Sequence, residues 1–414
     1  MLHGKNTIYL QFKSDMKTRI AIIGAGLSGL TCAWYLKESE QYDITIFESS
    51  GRAGGKLQTE LLNGFQFDRG FQVLLPAYPE TKRILDYDKL QLQRFHKGSL
   101  IFKNHKQIPF YDPENGLSAL VKTVLYGPGS LIDKFILLKL KYTLSHLSVE
   151  HIFQRSTKMS SLEYLRSLGF SERIIADFWI PFYQGVFLEN TLETDSKMLQ
   201  FTFKMFAEAG AALPKEGMEA IPKQLIAAIG SDRIRYHAKV LAYNATSVST
   251  SEGKTEIFDK VVVAYNCSKE VKYHTVTNKY FEADKIPIHT KHVILNANKN
   301  RVINNVVFIS HVAPNYALNG KQLISVSANG IHPDNEAFLH DLTSLFGKEV
   351  ATWKLVKSYL IQEALPIIDF QNKYTSAATD GIYYCGDHLI QASINGAMES
   401  GRRTAEEIIR VDVL

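Results

Sequence analysis

The sequence predicts an α/β (α+β) protein whose N- and C-terminal segments together build one parallel-sheet domain, with a mixed α/β domain inserted between them. Three observations predict it. A β-branched run, Arg19–Ile23, leads straight into a glycine-rich turn and an apolar helix; a second strand, glycine turn and helix occupy the last few dozen residues; and a long aromatic-rich stretch separates the two. At 414 residues the chain exceeds what one core usually serves, so two or three domains are expected.

The composition is that of an ordinary globular protein, with 45% hydrophobic and 21% charged residues and a net charge of +5. No Lys/Arg block or basic face with interleaved aromatics occurs, so no nucleic-acid partner is expected. Cys32, Cys267 and Cys385 are widely separated, without C-x-x-C or Cys/His spacing, which argues against a disulfide framework or a metal site. The N-terminus lacks the apolar core of a signal peptide and no run of eighteen apolar residues occurs, so a cytoplasmic protein is expected. Residues 1–18 are polar and irregular; they read as a flexible leader, with Met16 as an alternative start.

The first strand runs into Gly24-Ala25-Gly26-Leu27-Ser28-Gly29. Gly24 permits a tight turn, Gly26 lets backbone approach a pyrophosphate, and Gly29 lets the helix lie close to the strand. A phosphate would then meet the free N–H groups of the helix that opens at Leu27 and Ser28. Ala33, Trp34 and Leu36 continue the helix, and Asp43–Phe47 reads as a second strand ending at Glu48, about twenty residues on, where an acid bonds ribose hydroxyls. Strand, helix, strand and acid in this register predict a Rossmann-like dinucleotide site.

FAD and NAD both present an adenosine ribose and a pyrophosphate, and the residues after Glu48 separate them. Ser49-Ser50-Gly51-Arg52-Ala53-Gly54-Gly55-Lys56 is a second glycine-rich loop with two cations. Arg52 or Lys56 would make charge-assisted contacts to phosphate, Gly54 and Gly55 would admit backbone close to the cofactor, and Ser49 and Gly51 complete the loop.

With these residues in view, the chain resembles the superfamily of FAD-dependent amine oxidases, protoporphyrinogen oxidases and phytoene desaturases. The shared features are GAGLSGL, the acid and GRAGGK, then Phe65-Gln66-Phe67-Asp68-Arg69-Gly70, a middle segment Ala212–Met218, and a C-terminal Ile382–Asp387 followed by Ser393–Arg402. The resemblance is strongest over 19–75 and 381–410 and nearer to the desaturase-like members. It implies a Rossmann-like FAD-binding domain made of 19–75, 226–270 and 381–414, and a substrate domain made of 76–225 and 271–380. It implies non-covalent FAD contacted by Gly70, by the backbone of Val240 in the segment Arg233–Tyr243 and by Gly386. Asp387 would bond a ribityl hydroxyl or a phosphate, and the helix N-terminus over Ser393, Ile394 and Ala397 would face the flavin pyrimidine, where its dipole favours negative charge. Arg233–Tyr243 and the buried strand Phe258–Tyr265 read as two further segments that complete the same sheet.

The insertion would hold the substrate. Leu131–Leu147 has apolar residues at helical spacing with Lys134, Lys139 and Lys141 among them; it reads as a helix packed on the substrate domain or as a surface for membrane contact. Phe178–Phe187 places five aromatics in ten positions, either core or the wall of an apolar tunnel, and Val306–Gly330, with His311, is expected to supply another wall. His311 and Lys56 are the polar side chains to inspect near the flavin, and no side chain is assigned a catalytic role.

If the resemblance holds, the flavin performs the chemistry and the protein orients the substrate. Amine oxidases of the superfamily place an aromatic after the C-terminal glycine-acid segment and some tether FAD through a cysteine there, whereas this chain has Leu389-Ile390-Gln391-Ala392-Ser393. The leading expectation is therefore hydride removal from a hydrophobic molecule, desaturase-like or isomerase-like. Two alternatives stand beside it: an amine oxidase releasing hydrogen peroxide, and a flavin-binding protein that is non-catalytic or redox-neutral.

Overall fold

The structure is a computed structural model and describes residues 17–154, 158–268, 270–370 and 378–413. The expected leader falls outside these residues except for Lys17 and Thr18, and Thr18 already begins the first strand.

The chain divides into two compact units: Met1–Leu57, Ile221–Val271 and Gln371–Leu414 form the first, and Gln58–Ala220 with Lys272–Phe370 forms the second. Residues 58–75, expected with the cofactor domain, cluster instead with the second unit, and residues 221–225 with the first. The reason is local. Thr59–Leu62 pairs antiparallel with Phe65–Asp68, and the buried Asp68 carboxylate accepts from Thr59 Oγ1 (2.6 Å), Met218 N (2.9 Å) and Tyr316 Oη (2.8 Å). Burial pushes the Asp68 carboxyl up to about 6 although these three donors pull it down.

The first unit is built on a five-stranded parallel sheet. β1 (Thr18–Ile23), β2 (Tyr42–Phe47), β3 (Ile234–Arg235), β4 (Lys260–Val263) and β5 (Ile382–Tyr384) lie in the order β5-β4-β1-β2-β3. β1 is central and its Ile20, Ala21 and Ile22 are fully buried, as a strand covered on both faces requires. Helix α1 (Leu27–Glu38) follows β1, and α2 (Ile394–Val413) closes the chain against α1. That packing is backbone on backbone: a Cβ on Gly401 would lie 2.3 Å from Ser28 O and 2.9 Å from Cys32 N.

The segment Arg233–Tyr243, expected to complete the parallel sheet, does so only through β3. Val240 belongs instead to a three-stranded antiparallel sheet of Val240–Asn244, Ser247–Thr250 and Thr255–Ile257, and its side chain packs partly into the core under β4. The positive φ of His237 (56°) turns the chain between the two strands.

The second unit carries a seven-stranded sheet in the order Lys354–Pro366, Tyr273–Ala283, Gln322–Asn329, Asn305–Phe308, Val293–Asn296, Gly98–Lys103, Lys106–Tyr111. It is antiparallel except where Val293–Asn296 meets Gly98–Lys103. Part of the stretch expected to wall a tunnel is core: Asn305–Phe308 is buried throughout in mid-sheet. The aromatic run Phe178–Phe187 is also largely core. Trp179 and Tyr183 are fully buried, stack on each other, and belong to a π-helical turn (Ile175–Trp179) and the helix Ile180–Phe187 that follows it.

Candidate functional site

The three glycines of the first loop differ in what a side chain would meet. Gly24 has φ +109°, a conformation that only glycine adopts cheaply. A Cβ on Gly29 would lie 2.1 Å from Gly24 O and 3.0 Å from the Ala264 side chain, so its absence lets α1 sit on the β1–β4 edge. Gly26 has φ −76°, and a Cβ there would meet only Gly55 Cα, at 3.9 Å. The protein itself tolerates a side chain at 26; the open face above that backbone is space for a ligand.

The second loop lies on the first. Gly54 N donates to Ala25 O (2.8 Å), Gly26 and Gly54 form an isolated parallel bridge, and Gly54 (φ +114°) and Gly55 (φ +61°) hold conformations that keep the loop flat against it. Gly51 serves a different purpose: a Cβ there would lie 2.8 Å from the His237 ring, and His237 N donates to Ser50 O (3.0 Å). Gly51 thus packs under His237.

Glu48, just past β2, is fixed by both loops. Its Oε2 accepts from Ala25 N (3.1 Å) and its Oε1 from Ser50 N and Ser50 Oγ (both 2.8 Å), with Ser49 Oγ farther at 3.4 Å. Oε2 takes one bond here and keeps acceptor capacity for a hydroxyl. Sequence reading named Ser49 and passed over Ser50, though an acid followed two residues later by a serine is a familiar local side-chain to backbone turn.

Helix α1 starts at Leu27 with Gly26 as its N-cap and no side-chain cap. Its first turn, which begins at the buried Leu27 and Ser28, carries no side-chain cap, so its positive dipole end would suit an anion. Helix α2 differs. Ser393 Oγ accepts from Gly396 N (2.9 Å), and Ala397 N donates to Ser393 O (3.0 Å) as the first regular helical bond. The donors of Gly396 and Ala397 are therefore engaged within the first turn of α2.

β5 delivers Gly386 and Asp387 beside this helix, with Gly386 N donating to Ser400 Oγ (2.9 Å) and Thr404 Oγ1 donating to Tyr384 O (3.0 Å). Asp387 Oδ2 is 3.0 Å from Lys56 Nζ. A diphosphate beside the Asp387 carboxylate would meet repulsion, and this ion pair would offset it. Arg52 is half-buried in the same loop, its N and O bonded to Ser50 Oγ (3.3 and 2.7 Å). Gly70 belongs to the second unit, where its φ of +91° favours glycine.

Cys32 and Cys385 are fully buried, and burial pushes the Cys385 thiol up to about 12, far from the thiolate that a covalent tether needs. His311 lies in the second unit, its ring 4.3 Å from that of His289, and burial with that neighbour lowers its pKa.

An open backbone face, an uncapped helix and a spare carboxylate oxygen make a cradle for a diphosphate and a ribose, so these residues fit FAD. The model of the family described as flavin containing amine oxidoreductase matches residues 27–409. The chain belongs to that family.

As a member, it is an FAD-dependent oxidoreductase of the amine oxidase superfamily with a Rossmann-like FAD-binding fold. It is 28% identical over 277 residues to a protoporphyrinogen oxidase 2 of Arabidopsis thaliana, covering 58% of this chain and 53% of that one. It is 27% identical over 189 residues to prenylcysteine oxidase 1 of Bos taurus, covering 39% and 36% respectively. The chain thus matches about half of the first relative's length and about a third of the second's. A solved oxidoreductase from Methanosarcina mazei shares its fold with a TM-score of 0.69 at 18% identity, covering 94% of this chain and 100% of the other. Among the described residues, no helix is long and apolar enough to cross a membrane.

Proposed function

We propose that this family member removes a hydride equivalent from a hydrophobic small molecule, as a desaturase or dehydrogenase does, with FAD held non-covalently between Gly26, Glu48, Gly55 and the N-terminal ends of α1 and α2. The observation that carries the substrate class is the stretch Leu389–Ser393. It has no aromatic side chain, and its Gln391 is turned inward, 1% exposed, with Nε2 donating to Glu399 Oε2 (3.1 Å). An amine-holding aromatic is therefore missing from the position where amine oxidases of the superfamily carry one. One relative above is named for prenylcysteine, whose prenyl group is an apolar hydrocarbon chain.

Bound FAD supplies a two-electron acceptor, so that a substrate losing a hydride and a proton gains one double bond. The chain's own residues do the rest. α1 holds the diphosphate on its free N–H groups, Glu48 orients the ribose, Lys56 balances Asp387, and the N-terminus of α2 favours the negative charge of a reduced flavin. The free cysteines fit a reducing, cytoplasmic compartment.

The test is anaerobic. The purified protein should show flavin bands that pass wholly to the supernatant on acid precipitation, and apolar polyene or thioether candidates should bleach them and yield a product with one more double bond. Bleaching by amines, with hydrogen peroxide and ammonia released in air, would replace this reading by the amine oxidation that the family description favours. Bleaching by chemical reductants alone would leave a redox-neutral role.

A further inference from the structure

Two consecutive helices of the second unit, Leu117–Tyr126 and Leu131–Ser145, carry an apolar stripe on the outside of the protein. Of the 25 large hydrophobic side chains exposed among the described residues, 11 fall between Leu117 and Tyr142. Their spacing is helical, at 117, 120, 121, 124 and 125 in the first helix and at 131, 135, 138 and 142 in the second, so each helix aims one continuous apolar face at solvent. Leu117 is 77% exposed, Ile132 71% and Phe135 69%. The inward faces are thin: Ala119 and Thr123 in one helix, Asp133, Leu140 and Leu144 in the other. A patch of this kind marks an interaction surface.

Charge selects the partner. The helices hold four lysines and one carboxylate. The carboxylate, Asp133, is buried and bonds both Ser130, the N-cap of its own helix, and Ser171, the N-cap of the short helix Glu172–Ile174. Lys141 turns away to Asp112 and Glu114 (both 2.9 Å), and Lys134 donates to Val124 O (2.9 Å). Lys122 and Lys139 are exposed beside the apolar stripe. An apolar face with Lys122 and Lys139 exposed at its rim is mismatched to a second copy of itself, which would set lysine against lysine, and matched to anionic headgroups over acyl chains. At about 15 and 22 Å, the helices are too short to span a bilayer and long enough to lie in its interface.

We infer that the helix pair Leu117–Ser145 docks the protein on the surface of an anionic lipid bilayer. The apolar stripe enters the headgroup–acyl boundary, Tyr126 and Tyr142 lie at its polar edge, and Lys122 and Lys139 meet the phosphates. The docking is a property of this surface and is independent of the substrate proposed above.

The experiment is co-sedimentation of the flavin-loaded full chain, without substrate, with phosphatidylcholine vesicles and with vesicles that also contain phosphatidylglycerol. The expected result is binding to the anionic vesicles that weakens with salt. Leu125→Asp with Phe135→Asp should lower the bound fraction at least roughly tenfold, while visible spectrum and melting temperature stay as in the wild type. Lys122→Glu with Lys139→Glu should remove the preference for phosphatidylglycerol. The inference is overturned if the wild type remains in the supernatant with both vesicles or if the double-Asp protein binds equally well. It is overturned too if the double-Asp change abolishes a concentration-dependent dimer in a protein that ignores vesicles.

Discussion

Gly24, Gly26 and Gly29 lie within six residues, yet a methyl group would have a different consequence at each. At Gly26 the nearest protein atom to an added Cβ is Gly55 Cα, 3.9 Å away, while at Gly29 it is Gly24 O at 2.1 Å. Gly26→Val should therefore purify folded, with the melting temperature of flavin-free wild type, and carry no FAD. Gly29→Ala should lose about 3 kcal/mol or more of stability through overpacking of backbone against backbone. Thermal melts of the flavin-free proteins with FAD titration separate the two, and a Gly26→Val protein with full flavin content would overturn the placement of the diphosphate. On the ribose-binding role proposed for Glu48, Glu48→Ala should weaken FAD binding by about 1.5–3 kcal/mol, the range for hydrogen bonds to a charged group. Calorimetric titration reads this directly, and an unchanged Kd would remove Glu48 from the ribose.

The elements that form the site were legible in the sequence because each obeys a local rule. β1 is a β-branched run, α1 opens on glycine, β2 ends on an acid, and β5 leads to Gly386. The start of α2 was also legible, but the state of its donors was not, because that depends on which way the Ser393 hydroxyl points. With Ser393 Oγ on Gly396 N, Ser393→Ala should cost about 1 kcal/mol as a lost cap, seen as a lower Tm of the flavin-free protein. No change would mean that the hydroxyl serves the cofactor rather than the helix. The helix Leu131–Ser145 shows the reverse case. Its periodicity was plain, but periodicity gives only the existence of an apolar face, and neighbours decide whether that face is covered.

On the scale of the whole molecule, the second unit gathers His96, His292 and Tyr111 into one ring cluster, with Tyr111 stacked on His292 at 4.2 Å and His96 edge-on at 5.1 Å. Burial, with the neighbouring His96, pushes His292 down to about 4 from its ordinary 6.5. A histidine depressed on folding stays neutral while the unfolded chain takes up the proton, so its contribution is present above pH 6.5 and is lost as pH falls toward 4. Asp68 has the opposite sign. Its raised pKa lets the folded state keep a proton that the unfolded chain releases, a contribution lost as pH rises through about 6. The two oppose each other between pH 4 and 6, which a single variant exposes. The stability difference between wild type and His292→Gln should move toward wild type by on the order of 2 kcal/mol from pH 4 to pH 6.5, measured by urea unfolding. A difference independent of pH would mean that the imidazole is hydrated in the folded protein.

The sequence by itself determined the strands, helices and glycine-rich loops of the parallel-sheet domain, because a turn that needs positive φ, a strand covered on both faces and an acid at a strand end each restrict residue type where they occur. The tertiary structure alone decided the rest. It moved residues 58–75 into the second unit through the bonds of Asp68, and put Val240 in an antiparallel sheet. It closed α2 on α1 at Gly401, paired Lys56 with Asp387, and turned the apolar stripe of Leu117–Ser145 outward. All of these join residues far apart in the chain or depend on what covers a surface, and a local pattern of side chains specifies neither.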